Sequence, residues 1–391
     1  MPTAGVIAEF DPFHLGHEYL LTSIRRILGP ETDVVAVMSG CFTQRGGAAV
    51  CTPQARAEMA LRGGADLVLE LPVSFAAASA ERFARGGVEA LLGTGVVDTL
   101  CFGSECGQAP TLRAMADALD SPAFSAALHN YADKGLPFAA ARARALEQVL
   151  GAKCPEGAND LLATEYLRFW PKDRNAAAIH RIDGGHGGSR SASQVRALLY
   201  EGRWEEALDL LPETSREILR RERAEGRCPA SLKAAERAVL YRLRTMTASE
   251  FAAIPDCTEG LENRLVRAAG QAESLEEFYT LAKSKRYAHA RIRRIALRAF
   301  LGITDLPEQV EYLRLLGANE RGLALLREIK QKGSIPILTK SAHGAALEGA
   351  AKRQFELACR TENLWGLCLP RSLDAGWSFR SGPVVLKEKN L

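Results

Sequence analysis

Over roughly its first 200 residues the chain alternates short apolar runs with longer stretches of helical periodicity, the pattern of strands and helices wound into a parallel α/β sheet. The spacing predicts strands at Ala4 to Phe10, Asp33 to Met38, Asp66 to Leu71, Val97 to Phe102 and Ala177 to Ile182. Helical stretches fall between them, at about His17 to Leu28, Pro53 to Arg62, Ala80 to Leu92 and Pro137 to Leu150. A doubly wound, Rossmann-like sheet is the expectation, with ligands at the carboxyl ends of its strands. Beyond about residue 200 the strand signals fade, and stretches such as EEALDLLPETSREILRRERAEG, SLKAAERAVLYRLRTM and SLEEFYTLAKSK read as amphipathic helices. The expected organisation is a nucleotide-binding type of α/β domain over 1–200 and a mainly α-helical domain over 201–391. A late apolar run, Val384 to Leu386, reads as a strand or a tail packing back on the core.

With 391 residues, 47% of them hydrophobic, the chain has the material for one large core or two. A formal charge of +3 is too small to announce a nucleic-acid partner by itself, so that argument rests on local clustering. Nine scattered cysteines without a C-x-x-C pair point to reduced thiols. The start, MPTAGVIAEFDPFH, reaches charge too early for a signal peptide, and no apolar run approaches the ~20 residues of a membrane span. The expectation is a soluble, cytoplasmic protein.

The strongest chemical signal is the first strand running into Glu9-Phe10-Asp11-Pro12-Phe13 and then His14-Leu15-Gly16-His17 at the mouth of a helix. Unpaired amides and the helix dipole attract phosphate at such a junction, and Gly16 permits close approach. His14 and His17, three apart, share one side of the first turn and are suited to donate to phosphate oxygens. The plainer alternatives are a cap with a surface residue, or part of a zinc site with His180 and His186, for which no convincing ligand spacing exists.

These residues resemble the H-x-G-H nucleotidyltransferase superfamily. In that superfamily a second motif closes over the triphosphate, and Arg190-Ser191-Ala192-Ser193-Gln194-Val195-Arg196 looks like a worn copy of it. Ser191, Ser193 and Arg196 are suited to phosphate oxygens, although a helix N-cap accounts for the serines equally well. The resemblance narrows with M-S-G-x-F-x-Q-R-G, R-A-E-M-A-L-R-x-G-A-D-L-V-L-E-L-P, C-F-G-S-E, Asn159-Asp160-Leu161-Leu162, His180-Arg181-Ile182 and Glu259-Gly260-Leu261-Glu262-Asn263-Arg264 in one order. Together they are similar to the bacterial tRNA(Met) cytidine acetate ligase family, over nearly the whole chain.

That resemblance implies a two-step ligase. Acetate and ATP would give acetyl-adenylate and pyrophosphate, with Mg²⁺ helping to neutralise the phosphates, and the acetyl group would pass to N4 of the wobble cytidine of elongator tRNA(Met). ATP would lie along Ile7, Ala8, Glu9, Phe10, Asp11, Pro12, Phe13, His14, Leu15, Gly16, His17, Glu18, Tyr19 and Leu20, with further contacts from Gly103, Asn159 and Arg181. The residue types fit: glycine lets backbone approach a base or ribose, asparagine offers donor and acceptor, and arginine brings permanent charge. A turn, a helix cap and an ion pair are the ordinary readings of the same three. Arg45, after the second strand, is expected to hold acetate or a leaving phosphate. Cys41 stands where family members usually carry Asn or Asp, and nothing pairs its thiol with a base.

The segment KSKRYAHARIRRIALR, 283–298, has seven Lys or Arg and no acidic residue. On a helix Arg291, Arg294 and Arg298 would share a face with Tyr287, while Ile292, Ile295 and Ala299 turn to a core. With Lys283, Lys285 and Arg286 this face is expected to track tRNA phosphates and to stack a base; a solvated face paired with the acidic segment ESLEEF is the alternative. Two other functions share parts of this reading: a small-molecule carboxylate adenylyltransferase or ligase without tRNA, and a non-catalytic RNA-binding protein, which would have no need for His14, Gly16 and His17 together.

Overall fold

A computed structural model describes residues 1–181, 191–258, 260–284 and 287–387. Five strands, β1 (Thr3–Ala8), β2 (Asp33–Ser39), β3 (Leu67–Leu71), β4 (Thr99–Ser104) and β5 (Asn175–His180), run parallel in the order β5-β4-β1-β2-β3. Side chains alternate across them. Ala4, Val6, Val34, Ala36 and Met38 face one core, under helices α1 (Leu15–Leu28) and α2 (Pro53–Arg62). Ile7, Val35 and Val37 face the other, under the helices Ala80–Gly93 and Ala158–Phe169. Burial of both faces explains why the strands read as continuous apolar runs. The first strand stops at Ala8 rather than Phe10 because Phe10 turns to φ 45, in the left-handed region. The expected end of β5 at Ile182 lies outside the described residues.

Sequence beyond residue 200 is mainly helical, with its own core around Phe251, Leu265, Phe278, Ile292, Ile295 and Trp365. It nevertheless returns to the sheet. Strand β6 (Leu313–Ala318) pairs antiparallel with β3, and β7 (Ile337–Leu338) and β8 (Val384–Val385) pair parallel with β6. A division at 200 therefore does not follow the sheet, whose outer strands come from the far end of the chain. The run Val384 to Leu386 does pack back, and Leu386 is buried beside Leu61 and Leu316.

The seam between β3 and β6 encloses charge. Arg314 of β6 lies opposite Glu70 of β3, donating from Nε to Oε2 at 2.6 Å, and its guanidinium also binds Glu362 of the helix Gly349–Trp365. All three are buried. Removing the cation would leave two buried carboxylates without compensation, so Arg314→Ala is expected to cost about 3–5 kcal/mol, read as a lowered urea unfolding midpoint.

Candidate active site

The turn after β1 is built by reciprocal hydrogen bonds. His14 caps α1: its Nδ1 accepts from the Gly16 amide at 3.0 Å, and the His14 amide donates to His17 Nδ1 at 3.2 Å. Two histidines thus play the parts usually given to a serine and a glutamate in a capping box. Their rings stack, with centroids 3.8 Å apart, and Phe10 meets His17 edge-on at 5.0 Å. Gly16 is required sterically, since a Cβ there would stand 2.8 Å from His14 Cε1 and push the ring off its amide donor.

Because each Nδ1 accepts, the hydrogen-bond pattern assigns the proton of each neutral ring to Nε2. Burial, reinforced by the charges of Arg181 and Arg196, lowers the His14 pKa to about 4. Burial, His14 and Arg181 hold His17 well below its ordinary value. At neutral pH the pair therefore supplies two N–H donors and no charge; the fixed charge comes from the arginines.

Arg196, in the helix Ala192–Tyr200, reaches across to the turn: Nη1 donates to the Asp11 carbonyl at 2.5 Å and lies 3.3 Å from Asp11 Oδ2. Its Nη2 donates to Ser193 Oγ at 3.3 Å, while Ser191 accepts from the Gln194 amide as the helix N-cap. The cap reading of Ser191 thus describes its contact here; Arg190 lies outside the described residues. On the other side of Asp11, Oδ1 accepts from the Val50 amide at 2.6 Å.

The chain order places β2 and β3 to one side of β1 and β4 and β5 to the other, so the crevice between β1 and β4 is the topological switch point where open α/β sheets bind ligands. The His14 turn and Gly103 lie on its two sides. Arg181 follows β5, its amide bonded to the Ser104 carbonyl at 3.0 Å, and its side chain lies over Gly103, where a Cβ would meet Cγ at 3.7 Å. Arg181 Nε is buried without a partner among the described residues. Asn159 donates from Nδ2 to Glu105 Oε1 at 2.6 Å. The Glu105 carboxylate also accepts the Asn159 and Asp160 amides, and Asp160 in return accepts the Glu105 and Cys106 amides and the Ser104 hydroxyl. This reciprocal clamp fixes the end of β4 against the helix Ala158–Phe169.

The side chains of Ile7, Phe10 and Phe13 are spent in the cores, leaving backbone as their means of meeting a ligand. Leu15, Glu18, Tyr19 and Leu20 are half-buried along the first turns of α1. Arg45 is exposed on the turn 43–47, whose Gln44 amide donates to Glu9 Oε1 at 2.6 Å. Gly46, at φ 79, lies against the basic helix: a Cβ there would stand 2.8 Å from the Arg294 amide nitrogen. Cys41 is buried, and burial beside Glu362 and Glu70 pushes its thiol pKa well up, which removes the thiolate a nucleophile needs.

The basic segment forms the helix His289–Leu301, with Ile292, Ile295 and Ala299 buried as its periodicity requires. Its outward face is smaller than expected. Arg298 is fully buried, donating to the Ala77 and Pro255 carbonyls and pairing with Asp256 Oδ2 at 2.7 Å. Tyr287 is buried as well, so neither presents itself to an RNA. Arg291 binds the Asp256 carbonyl and Thr258 hydroxyl, both at 2.8 Å, and Arg293 lies 3.4 Å from Glu276 of the acidic segment. Arg294 is half-buried, its pKa lowered to about 10 by desolvation and by Arg298 and Arg291. Lys283 is exposed, and Lys285 and Arg286 lie outside the described residues.

A family model described as HIGH Nucleotidyl Transferase matches residues 1–376. The tRNA(Met) cytidine acetate ligases of Syntrophomonas wolfei and Acetivibrio thermocellus are 34% and 35% identical, over 98% and 99% of this chain and 99% and 100% of theirs. The chain belongs to the tRNA(Met) cytidine acetate ligase family. Thermotoga maritima TmcAL matches it structurally with TM-scores of 0.92 in an apo form and 0.90 bound to α-thio ATP, each at 34% identity over 99% of this chain and 100% of that one.

Several residues in the ligase family's motifs were not singled out from sequence. Arg56, fully buried, donates to the carbonyls of Glu9, at 2.6 Å, and Gly40. Glu105 and Asp160 form the clamp above, and Arg264 closes the end of the helix Leu275–Ala282 through the Leu281, Ala282 and Lys283 carbonyls. All four stand inside the quoted motifs; most of their partners are backbone groups, which no sequence pattern displays.

The lowered His14 pKa links the turn to pH. Between about pH 6.5 and about pH 4 the unfolded chain takes up a proton at residue 14 that the folded turn refuses, so stability is lost as pH falls through that window. The urea midpoint of wild type is expected to fall more steeply across it than that of His14→Gln, which lacks this linkage.

Proposed function

We propose that this chain is an ATP-dependent tRNA(Met) cytidine acetate ligase, which activates acetate as acetyl-adenylate and transfers the acetyl group to N4 of the wobble cytidine of elongator tRNA(Met). The observation that carries this reading is the convergence of His14, His17, Arg181 and Arg196 at the β1–β4 switch point, in a chain whose relatives bear that name.

An acetate oxygen attacks the α-phosphorus and pyrophosphate departs with the bonding pair. Nε2–H of His14 and His17 donates to phosphate oxygens, and Arg181 and Arg196 supply positive charge where negative charge develops. The unsatisfied Arg181 Nε fits an anionic acceptor. A bound triphosphate raises the proton affinity of both rings. ATP is assigned to Ile7 through Leu20, Gly103, Asn159, Arg181, Ser191, Ser193 and Arg196, and Arg45 to acetate or the leaving phosphate. Mg²⁺, bound with the triphosphate, would help to neutralise its charge. For tRNA, Lys283, Arg291 and Arg294 remain from the basic face, beside the turn 43–47. No helix is long and apolar enough to cross a membrane among the described residues, and we place the activity in the cytoplasm with its tRNA.

The test is AMP formation from ATP with acetate, propionate, nicotinate and pantothenate, each with and without unmodified elongator tRNA(Met). Acetate-dependent turnover that acetylates the wobble cytidine is expected; turnover with another carboxylate and indifference to tRNA would move the chain to the small-molecule branch. His17→Ala is expected to lower acetyl-adenylate formation by about 100-fold or more while tRNA affinity holds. Lost tRNA binding with normal adenylate synthesis would overturn the assignment of His17.

A further inference from the structure

Resting on that reading, acetyl transfer needs a group to take the proton of the attacking amine. We propose that Glu9 is the general base, accepting a proton from cytidine N4 at its Oε2 as N4 attacks acetyl-adenylate.

Glu9 follows the last residue of β1, at the carboxyl end of the strand that borders the switch-point crevice. It is fixed twice: its carbonyl accepts from the buried Arg56 at 2.6 Å, and its Oε1 accepts from the Gln44 amide at 2.6 Å. Oε2 makes no hydrogen bond among the described residues. The other candidates near the turn are occupied. Asp11 gives one oxygen to the Val50 amide and the other to Arg196. Glu105 and Asp160 are taken up by amides and a hydroxyl. His14 and His17 already accept at Nδ1 and carry their protons on Nε2.

The chemistry suits a carboxylate. Cytosine presents N4–H₂ as a donor, for which Asp or Glu is the matching acceptor. The N4 lone pair is delocalised into the ring, so the amine gains nucleophilicity as its proton leaves. In the step N4 forms a bond to the acetyl carbonyl carbon, the acyl C–O bond to AMP breaks with its pair going to the phosphate oxygen, and the N4 proton passes to Glu9 Oε2. Burial raises the Glu9 pKa above its ordinary value, helped by the Asp11 charge and opposed by the Gln44 amide, Arg196 and Arg45; the Glu9 charge adds to burial in raising the Tyr166 pKa. A raised pKa makes a stronger base.

The experiment is single-turnover transfer from supplied acetyl-adenylate to elongator tRNA(Met), as a function of pH, for wild type, Glu9→Gln and Glu9→Asp. Gln keeps the acceptor for the Gln44 amide and removes the base; Asp keeps the base and loses reach. The proposal expects transfer to fall by about 100-fold or more in Glu9→Gln, with Glu9→Asp the faster of the two variants, and the acid limb of the wild-type pH profile absent in Glu9→Gln. A structural role for Glu9 gives the reverse order, and that result, or a Glu9→Gln rate within about threefold of wild type, overturns the assignment of the base alone. A wild-type protein that transfers nothing overturns the ligase reading and the base with it.

Discussion

One buried guanidinium sets the geometry on which the crevice depends. Arg56, carried by α2, ties together the carbonyls of Glu9 and Gly40 just beyond the ends of β1 and β2. Strand ends are where ladder bonds run out and backbone is free to drift; here a cation without solvent contact holds two of them. With Glu9 fixed, the chain reverses through Phe10 at φ 45, a conformation that costs a non-glycine residue about 1–3 kcal/mol. Packing of Phe10 against Phe13 and His17 offsets that cost and orients the histidine pair at the same time.

The electrostatics of the site follow from the same burial. Two arginines face the histidines and depress their basicity, so the unliganded site concentrates positive charge on Arg181 and Arg196 while the rings remain neutral. Like charges gathered in a partly desolvated crevice are unfavourable until an anion arrives, and that arrangement favours a polyphosphate over a neutral ligand. The clamp between Glu105 and Asp160 has the complementary role. Its two carboxylates are saturated by amides, so they shape the β4 side of the crevice without presenting free negative charge to a phosphate.

Much of this was legible in the chain, and the exceptions have physical causes. Strands β1 to β4 stood out because both faces of the sheet are buried there, which makes their runs largely apolar. The H-x-G-H turn stood out because helix starts that bind anions need small and hydrogen-bonding residues in fixed places. Strand β6 was hidden: Leu313–Ala318 carries Arg314 as its second residue, and an arginine in a short strand reads as a solvent-facing position until Glu70 and Glu362 are seen beside it. The basic helix was misleading in the opposite direction. Arg298 continues the periodicity of Arg291 and Arg294, yet its charge is consumed by Asp256 and two carbonyls, partners distant in sequence.

The pairing of β3 with β6 joins Glu70 to Arg314 across a separation of 244 residues. During synthesis, the five-stranded parallel core emerges long before its neighbour, and the outer edge of β3 presents unpaired backbone groups for all of that interval. The nascent chain must therefore spend much of its translation with an apolar strand edge open to wrong partners. Its last strands act as a late closure that ends this exposure, and Arg314 arrives with the charge that Glu70 has been lacking.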